Sequence, residues 1–439
     1  MRKLIALLLA LLLLGSTFAA LAESTSLFTL RPDDPFARQF RDGSLRLEPA
    51  QLPGAAEDLQ WLSASPSGRF HLYLHEEDGL QLFDAQEERM RPVVFDLSGD
   101  AHGKLARLID RPYMLAGLDF VWSPDERYFT AACWDFVISG QLGLDLLLGE
   151  TTPAPDSDAV QVSVKQAWGR KLPEAGSGTV GGACFSPDSS KLYFVLYGNA
   201  CESLFHDQNS FHDLATMVYD IPTGMIAPVA PNRWQETPDA DFVAEREGIA
   251  CLKDGSLVQL ATPRRTTEAH LRCLIPSDAG WQTLLIPLTT TADHEVFHLL
   301  SHPAADYVLV ASSAYVVYSG IGGIESTPVL TQVDAASLAV TRHVAGVNAC
   351  LSPDGRYYLT LSGDSVRWSL QAVDAATGET CPVDASALSH RHAFAYLAGH
   401  NSMTKRQFDA GMLWCGDLLI LGTPDGPAAF RFAGLDAAD

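Results

Sequence analysis

Two imidazole–carboxylate doublets, His206-Asp207 and His212-Asp213, bracket the polar run Gln208-Asn209-Ser210-Phe211. Imidazole nitrogen with carboxylate oxygen is a zinc donor set, and the oxygens alone suit a harder cation. No helical period runs through the segment to hold such donors at fixed separation. It therefore reads as a solvated loop, and no metal is assigned. Ser389-His390-Arg391-His392 with His400 could supply a general base, but reads equally as a connecting loop or short helical excursion. Gly176-Ser177-Gly178-Thr179-Val180-Gly181 matches G-x-G-x-x-G. The phosphate-binding form of that motif follows a strand and opens a helix; here it leads into the strand-like Ala183-Cys184-Phe185 and reads as a flexible connection. No G-x-S-x-G nucleophile elbow occurs. The expectation is no catalytic residue, no metal and no cofactor.

The chain has 439 residues, 47% of them apolar and 19% charged, which supplies ample core and argues against wholesale disorder. Acids outnumber bases 53 to 30, a formal charge of −23. Such a surface repels phosphate backbones and anionic lipid, so nucleic acid is excluded as a partner. Met1-Arg2-Lys3, the apolar run Leu4–Leu14 and the small-x-small site Ala20-Leu21-Ala22 make residues 1–22 read as a signal peptide. The expected mature chain is exported, secreted or in the cell envelope. It is soluble, with no membrane insertion, monomeric, and more acidic still, because Arg2 and Lys3 leave with the signal. All eight cysteines lie in the mature part. Cys184, Cys251 and Cys350 each follow an Ala just before a turn, so reduced, buried thiols acting as small hydrophobes are expected. Any bridge is expected to use Cys201, or to join Cys251 to Cys273.

The elements behind these residues repeat. Ser65-Pro66-Ser67-Gly68-Arg69-Phe70, Ser123-Pro124-Asp125-Glu126-Arg127-Tyr128, Ser186-Pro187-Asp188-Ser189-Ser190-Lys191 and Ser352-Pro353-Asp354-Gly355-Arg356-Tyr357 share one frame. Degenerate copies start at Cys251 and His302. Pro presets φ, Asp bonds its own backbone and Gly accepts positive φ, so each reads as a hairpin turn. The aromatic and β-branched run that follows reads as a return strand. A second frame, apolar-Asp-x-x-Thr/Ser, recurs at Asp220, Asp334 and Asp374, and more weakly at Asp84. Two hairpins per repeat make a four-stranded antiparallel unit. A last unit at Leu413–Leu421 is short of a strand, and Ser44–Glu48 is an orphan strand able to complete it and close a ring.

These turns resemble the WD-repeat-like and TolB-like β-propeller families. The resemblance covers roughly residues 44–434 as one domain, with 23–43 ahead of it and a tail at 435–439. It implies an all-β, seven-bladed propeller, with six or eight blades as alternatives. The Gly-His and Trp-Asp marks of true WD repeats are missing: Trp134-Asp135 falls after a second strand.

Extra length is expected in loops between second and third strands, Gly198–Leu214 and Ala314–Ser326. More is expected between blades, in Gly99–Leu118, Ala167–Gly182, Pro231–Gly248 and Ser386–Gly411. All of these leave the same face. Loops on a rigid scaffold carry function, so that face is the expected binding surface. It would present Trp134, Asp135, Trp168, Arg170, His206, Asp207, His212, Asp213, Trp234 and Arg264, with Lys171 and Arg265. Three functions fit: a non-catalytic binding module for a protein, peptide or glycan; a propeller hydrolase or lyase on an extracellular substrate; and an envelope-associated scaffold.

Overall fold

The computed structural model describes residues 34–96, 115, 118, 120–134, 141–153, 157–171, 176–200, 211–231, 233–237, 240–263, 270–288, 294–317, 324–346, 348–363, 368–388, 412–423 and 426–434. These residues form an all-β ring of four-stranded antiparallel units with one short helix, a β-propeller. Blade 1 comprises Leu59–Ala64, Phe70–His75, Gly79–Asp84 and Arg89–Asp96. Blade 2 is Phe120–Trp122, Tyr128–Trp134, Gln141–Glu150 and Val160–Lys171; blade 3 is Gly176–Phe185, Lys191–Ala200, Phe211–Asp220 and Met225–Ala230. Blade 4 is Ala240–Cys251, Leu257–Pro263, His270–Ser277 and Gly280–Pro287, with an added strand Arg233–Thr237 on the inner edge. Blade 5 is His294–Leu300, Tyr307–Val317, Ile324–Asp334 and Val340–Ala345; blade 6 is Asn348–Leu351, Tyr357–Gly363, Trp368–Asp374 and Thr380–Val383. The last unit, blade 7, takes Met412–Cys415, Leu418–Thr423 and Gly426–Phe432 from the C-terminal end of the chain and its fourth strand, Leu47–Ala50, from the N-terminal end. That strand pairs antiparallel with Gly426–Phe432, Leu47 opposite Phe432 and Ala50 opposite Ala429.

Period-2 strands buried on both faces explain why so many runs are continuously apolar. In blade 3, Leu192 and Phe194 pack back against Leu146 and Leu148 of blade 2. The alternate residues Tyr193 and Val195 pack forward against Ile249, Leu257 and Leu274 of blade 4. A separate apolar cluster of this kind fills each seam around the ring, including the closing seam, where Cys415, Leu418 and Ile420 of blade 7 meet Ala64 of blade 1. Burial of apolar area at about 25 cal/mol per Å² is thus spread over the circle instead of pooled in one core.

The Ser-Pro-Asp turns work as expected and do more. Ser123, Ser186 and Ser352 each donate Oγ–H to the Asp two residues on, at 2.6–2.7 Å, and accept from the backbone N–H five residues on at 2.9 Å. The fourth position has positive φ in Gly68 (76°), Glu126 (58°), Ser189 (58°) and Gly355 (68°), as does Gly255 (83°) in the copy at Cys251, whereas Ala305 in the copy at His302 does not. At the outer hairpins, Asp84, Asp220, Asp334 and Asp374 accept backbone N–H bonds from two or three residues on. Three of these carboxyls lie below the ordinary range: the Thr223 and Ser337 hydroxyls, with the backbone N–H bonds second, lower Asp220 and Asp334, and at Asp84 burial pushes up while the Arg69 guanidinium at 2.9 Å, then the backbone bonds, bring a net lowering.

The turns also touch their neighbours. Ser67 of blade 1 donates its N–H and Oγ–H to the Glu126 carboxylate of blade 2, at 2.5 and 2.7 Å. Asp125 N–H donates to Ser189 Oγ of blade 3 at 3.2 Å, and Gly416 N–H of blade 7 to the Pro66 carbonyl at 3.3 Å. Gly355 sits so close to the blade 5 turn that a Cβ there would lie 2.6 Å from the Ala305 nitrogen. At the blade 6–7 seam the helix Pro35–Asp42 is the wedge. Asp34 caps its N-terminus at Phe36 N–H, Gly43 ends it in the left-handed conformation, and Phe36 lies 5.0–5.1 Å from the rings of Tyr357, Trp414 and Phe432.

Sheet edges are covered at two places. The outer strands of blades 1 and 2 pair in parallel, Val93 with Val160 through Asp96 with Ser163, merging them into one eight-stranded sheet. The approach to the closing strand bridges to blade 6: Leu47 N–H donates to the Asp384 carbonyl and Asp384 N–H to the Leu45 carbonyl. Among the described residues no helix is long and apolar enough to cross a membrane.

Candidate functional site

The two faces of the ring differ in build. The Ser-Pro-Asp turns and the outer Asp turns share one face. The ends where second strands pass to third, and blade passes to blade, share the other. Second and third strands are short in blade 1 (6 and 6 residues), blade 6 (7 and 7) and blade 7 (6 and 7). They are 7 and 10 residues in blade 2, 10 and 10 in blade 3, and 11 and 11 in blade 5. The ends of the expected loops are therefore strand, and residues 201–210 and 318–323 between them lie outside the described residues. Gly198–Leu214 and Ala314–Ser326 begin and end inside ladders, because Val, Tyr, Phe and Thr at their flanks continue the period-2 pattern. The same holds between blades. Gly176–Gly181 is no flexible connection but the start of a first strand, Gly176 opposite Ala200, with a bulge between Val180 and Ala183. Pro231–Gly248 folds largely as a hairpin, Arg233–Thr237 against the start of Ala240–Cys251.

Register sets the proposed site residues in rows. Trp134, the last residue of its strand, stands opposite Leu144, and Leu144 stands opposite Trp168. Two tryptophans 34 positions apart in sequence thus share one row across the extended end of blade 2. Arg170 lies two residues further out, opposite Leu142. In blade 3, His212 is opposite Gly198 and Asp213 opposite Tyr197. Asp135, His206, Asp207, Arg264 and Arg265 lie outside the described residues, as do the histidines 390, 392 and 400.

Trp234 sits on the added strand of blade 4, opposite Phe242. Its half-buried indole has the Arg272 guanidinium 3.8 Å above the ring and Phe242 at 5.8 Å, with His270 edge-on to Phe242 at 5.2 Å. Arg272 is 1% exposed. It donates Nη1–H to Gln259 Oε1 at 3.3 Å, and Gln259 donates Nε2–H across the seam to Thr216 Oγ1 of blade 3 at 2.7 Å. A buried cation needs such neighbours, because desolvation of an unassisted charge costs several kcal/mol. Trp234 thereby covers a polar layer at the inserted end of the blade 3–4 seam and pins the added hairpin. Sequence reasoning missed Arg272, Gln259 and Thr216. The signal was an Arg inside the apolar strand His270-Leu271-Arg272-Cys273-Leu274, where Leu271 and Cys273 occupy one face and Arg272 the other.

Among the described residues, no three His, Cys, Asp or Glu side chains gather in a metal-holding arrangement. A recess of about 640 Å³, lined by Ser44–Arg46 and Pro382–Asp384, lies beside the helix end, away from the extended strands. The polar side chains of its lining residues are those of Ser44, Arg46 and Asp384.

No known protein family and no curated protein matches the chain. Solved structures similar to it include hydrazine synthase of Kuenenia stuttgartiensis, with a TM-score of 0.43 and 11% identity over 88% of this chain and 97% of that one. An oligogalacturonate lyase of Vibrio parahaemolyticus gives 0.47 and 11% over 88% and 96%. An oligogalacturonate lyase in complex with manganese gives 0.47 and 13% over 88% and 96%.

Proposed function

We propose that this chain is an exported binding propeller that engages a protein, peptide or glycan on its extended face. The observation that carries this reading is the one-sidedness of the elaboration. The long strand pairs of blades 2, 3 and 5 and the added hairpin of blade 4 extend toward one face, while the opposite face keeps short, mutually bonded turns. The shared register row of Trp134, Leu144 and Trp168 supports the reading, tryptophan being a residue type that offers a flat apolar surface with a polar edge to sugars and peptides. The acid excess favours neutral or cationic ligands over polyanions.

The test is a glycan array and a pull-down with residues 23–439, repeated with Trp134→Ala/Trp168→Ala. Loss of about tenfold or more in affinity, roughly 1.4 kcal/mol, with an unchanged thermal midpoint supports the reading. Full binding by the double variant places the ligand elsewhere.

A second reading is a propeller hydrolase or lyase on an extracellular substrate at the same face. Two of the similar solved structures are oligogalacturonate lyases, one with manganese; the likeness is one of fold, so the activity has to be asked of this chain directly. Appearance of unsaturated product from oligogalacturonate, with and without manganese, decides it: turnover that disappears when the extended face is trimmed makes the chain an enzyme.

A further inference from the structure

The seam between blades 3 and 4 is built unlike its neighbours. Among the described residues, no hydrogen bond or ion pair joins the Ser186–Ser190 turn to the Leu252–Ser256 turn, where the blade 1–2, 2–3 and 7–1 turns are bonded. At this seam two cysteines meet instead. Cys184 lies two residues before its turn serine, as Cys350 does, but Cys251 lies immediately before Leu252, the residue whose carbonyl accepts the turn bond from Gly255. The single-residue offset turns Cys251 to the opposite side of its sheet. Cys184 consequently faces forward to blade 4 and Cys251 back to blade 3, both against the cluster of Tyr193, Ile249 and Leu257. The Cys184 thiol lies against the backbone N–H of Cys251. Cys273, the sequence-expected partner of Cys251, belongs to the apolar cluster on the other side of blade 4. The six cysteines with described side chains are all free thiols; of them Cys184 and Cys251 alone keep partial exposure, and Cys273, Cys350, Cys381 and Cys415 are buried.

We propose that Cys184 and Cys251 are a bridging pair, forming a disulfide that staples the first strands of blades 3 and 4. The Cys251 thiol loses its proton and attacks one sulfur of a small-molecule or protein disulfide, giving a mixed disulfide and one released thiol. The Cys184 thiolate then attacks the Cys251 sulfur, closing the S–S bond and releasing the second thiol. Two protein thiols are oxidised and one external disulfide is reduced to two thiols. Burial pushes the Cys251 thiol up to about 12 and Cys184 higher than its ordinary range, so little thiolate exists in the closed ring at neutral pH. The bond is accordingly made as the blades come together, and once made it is slow to be reduced.

The test supplies its own oxidant and so does not depend on export. Residues 23–439 are refolded in a glutathione redox buffer, alkylated under denaturing, non-reducing conditions and mapped as peptides. The expected result is six alkylated cysteines of eight, a Cys184–Cys251 linked peptide and an intact mass lighter by two hydrogens. Reduction is expected to lower the thermal midpoint of the wild type and to leave Cys184→Ser/Cys251→Ser unmoved. Eight alkylated thiols, or a bridge linking other cysteines, overturns the assignment. If the double variant does not fold, the peptide map of the wild type decides alone.

Discussion

The two faces of this ring solve opposite problems with the same strands. On the turn face the hairpins are short and several touch the next, through Ser67 and Glu126, Asp125 and Ser189, or Gly355 and Ala305. Toward the extended face the strands lengthen, to 11 residues in blade 5, and the seam turns polar, with Arg272, Gln259 and Thr216 beneath Trp234. One face has little freedom to vary, and the other carries the chain's individuality. Stability is expected to concentrate on the first and recognition on the second.

The hardest test of that division is Gly355→Ala. A Cβ would approach the Ala305 backbone to 2.6–2.7 Å at a φ of 68°, where neither backbone can yield easily. A loss of about 3 kcal/mol or more is expected from denaturant unfolding. Gly224→Ala has the same φ of 68° and nothing within 4 Å, so it isolates the conformational part at about 1 kcal/mol. Equal losses would show that the turns do not lock to one another.

Acid is the second probe. Burial holds both His71 and His302 down at about 4. His71 is fixed neutral, with Nε2 against the Gly68 carbonyl and Nδ1 facing Trp61 Nε1–H, while His302 Nδ1 accepts Ala304 N–H in place of a turn serine. The unfolded chain takes up protons from pH 6.5 downward and the folded ring does not until about 4. The stabilisation is complete above pH 6.5 and falls across that window, by at most about 1.4 kcal/mol per pH unit for each histidine. Thermal midpoints between pH 7.5 and 4.5 should drop, and His302→Ser, which keeps an acceptor, should flatten the slope. An unchanged slope would mean that the turn face is not the acid-sensitive part.

Glu126→Ala removes two bonds across the blade 1–2 seam and is expected to cost about 1–2 kcal/mol. The smallest effect belongs to the extended face. Joining Tyr197 to Asp213, which already stand opposite one another, through an Asn-Gly turn keeps the register. A change below about 1 kcal/mol is expected. A large loss would put structural weight on the wrong face.

Much of this was legible in the sequence because turn chemistry is local. Ser-Pro-Asp-Gly and apolar-Asp-x-x-Thr specify hairpins within six residues, and their recurrence announced the ring. Strand length was less legible. Gly176–Gly181 and Pro231–Gly248 carry glycine, proline and polar residues that look like loop, yet pairing partners in the neighbouring strand draw them into ladders. The helix Pro35–Asp42 was missed because eight residues rely on tertiary contacts, here Phe36 and Phe40 against the last two blades, more than on propensity. The meeting of Cys184 with Cys251 turned on a one-residue difference in turn length that no repeat alignment by eye resolves.

The strand that closes the ring also sets a clock. Leu47–Ala50 leaves the ribosome among the first residues of the ring, and its partner Gly426–Phe432 among the last. Blades can form one by one as the chain emerges, but the circle stays unclasped until Gly426–Phe432 has been made, with Ala64 and the strands of blade 1 lacking the wall that Cys415, Leu418 and Ile420 provide. A chain that stops short of that last strand is not a slightly smaller propeller but an open one, and quality control has a simple feature to read: whether the two ends have met.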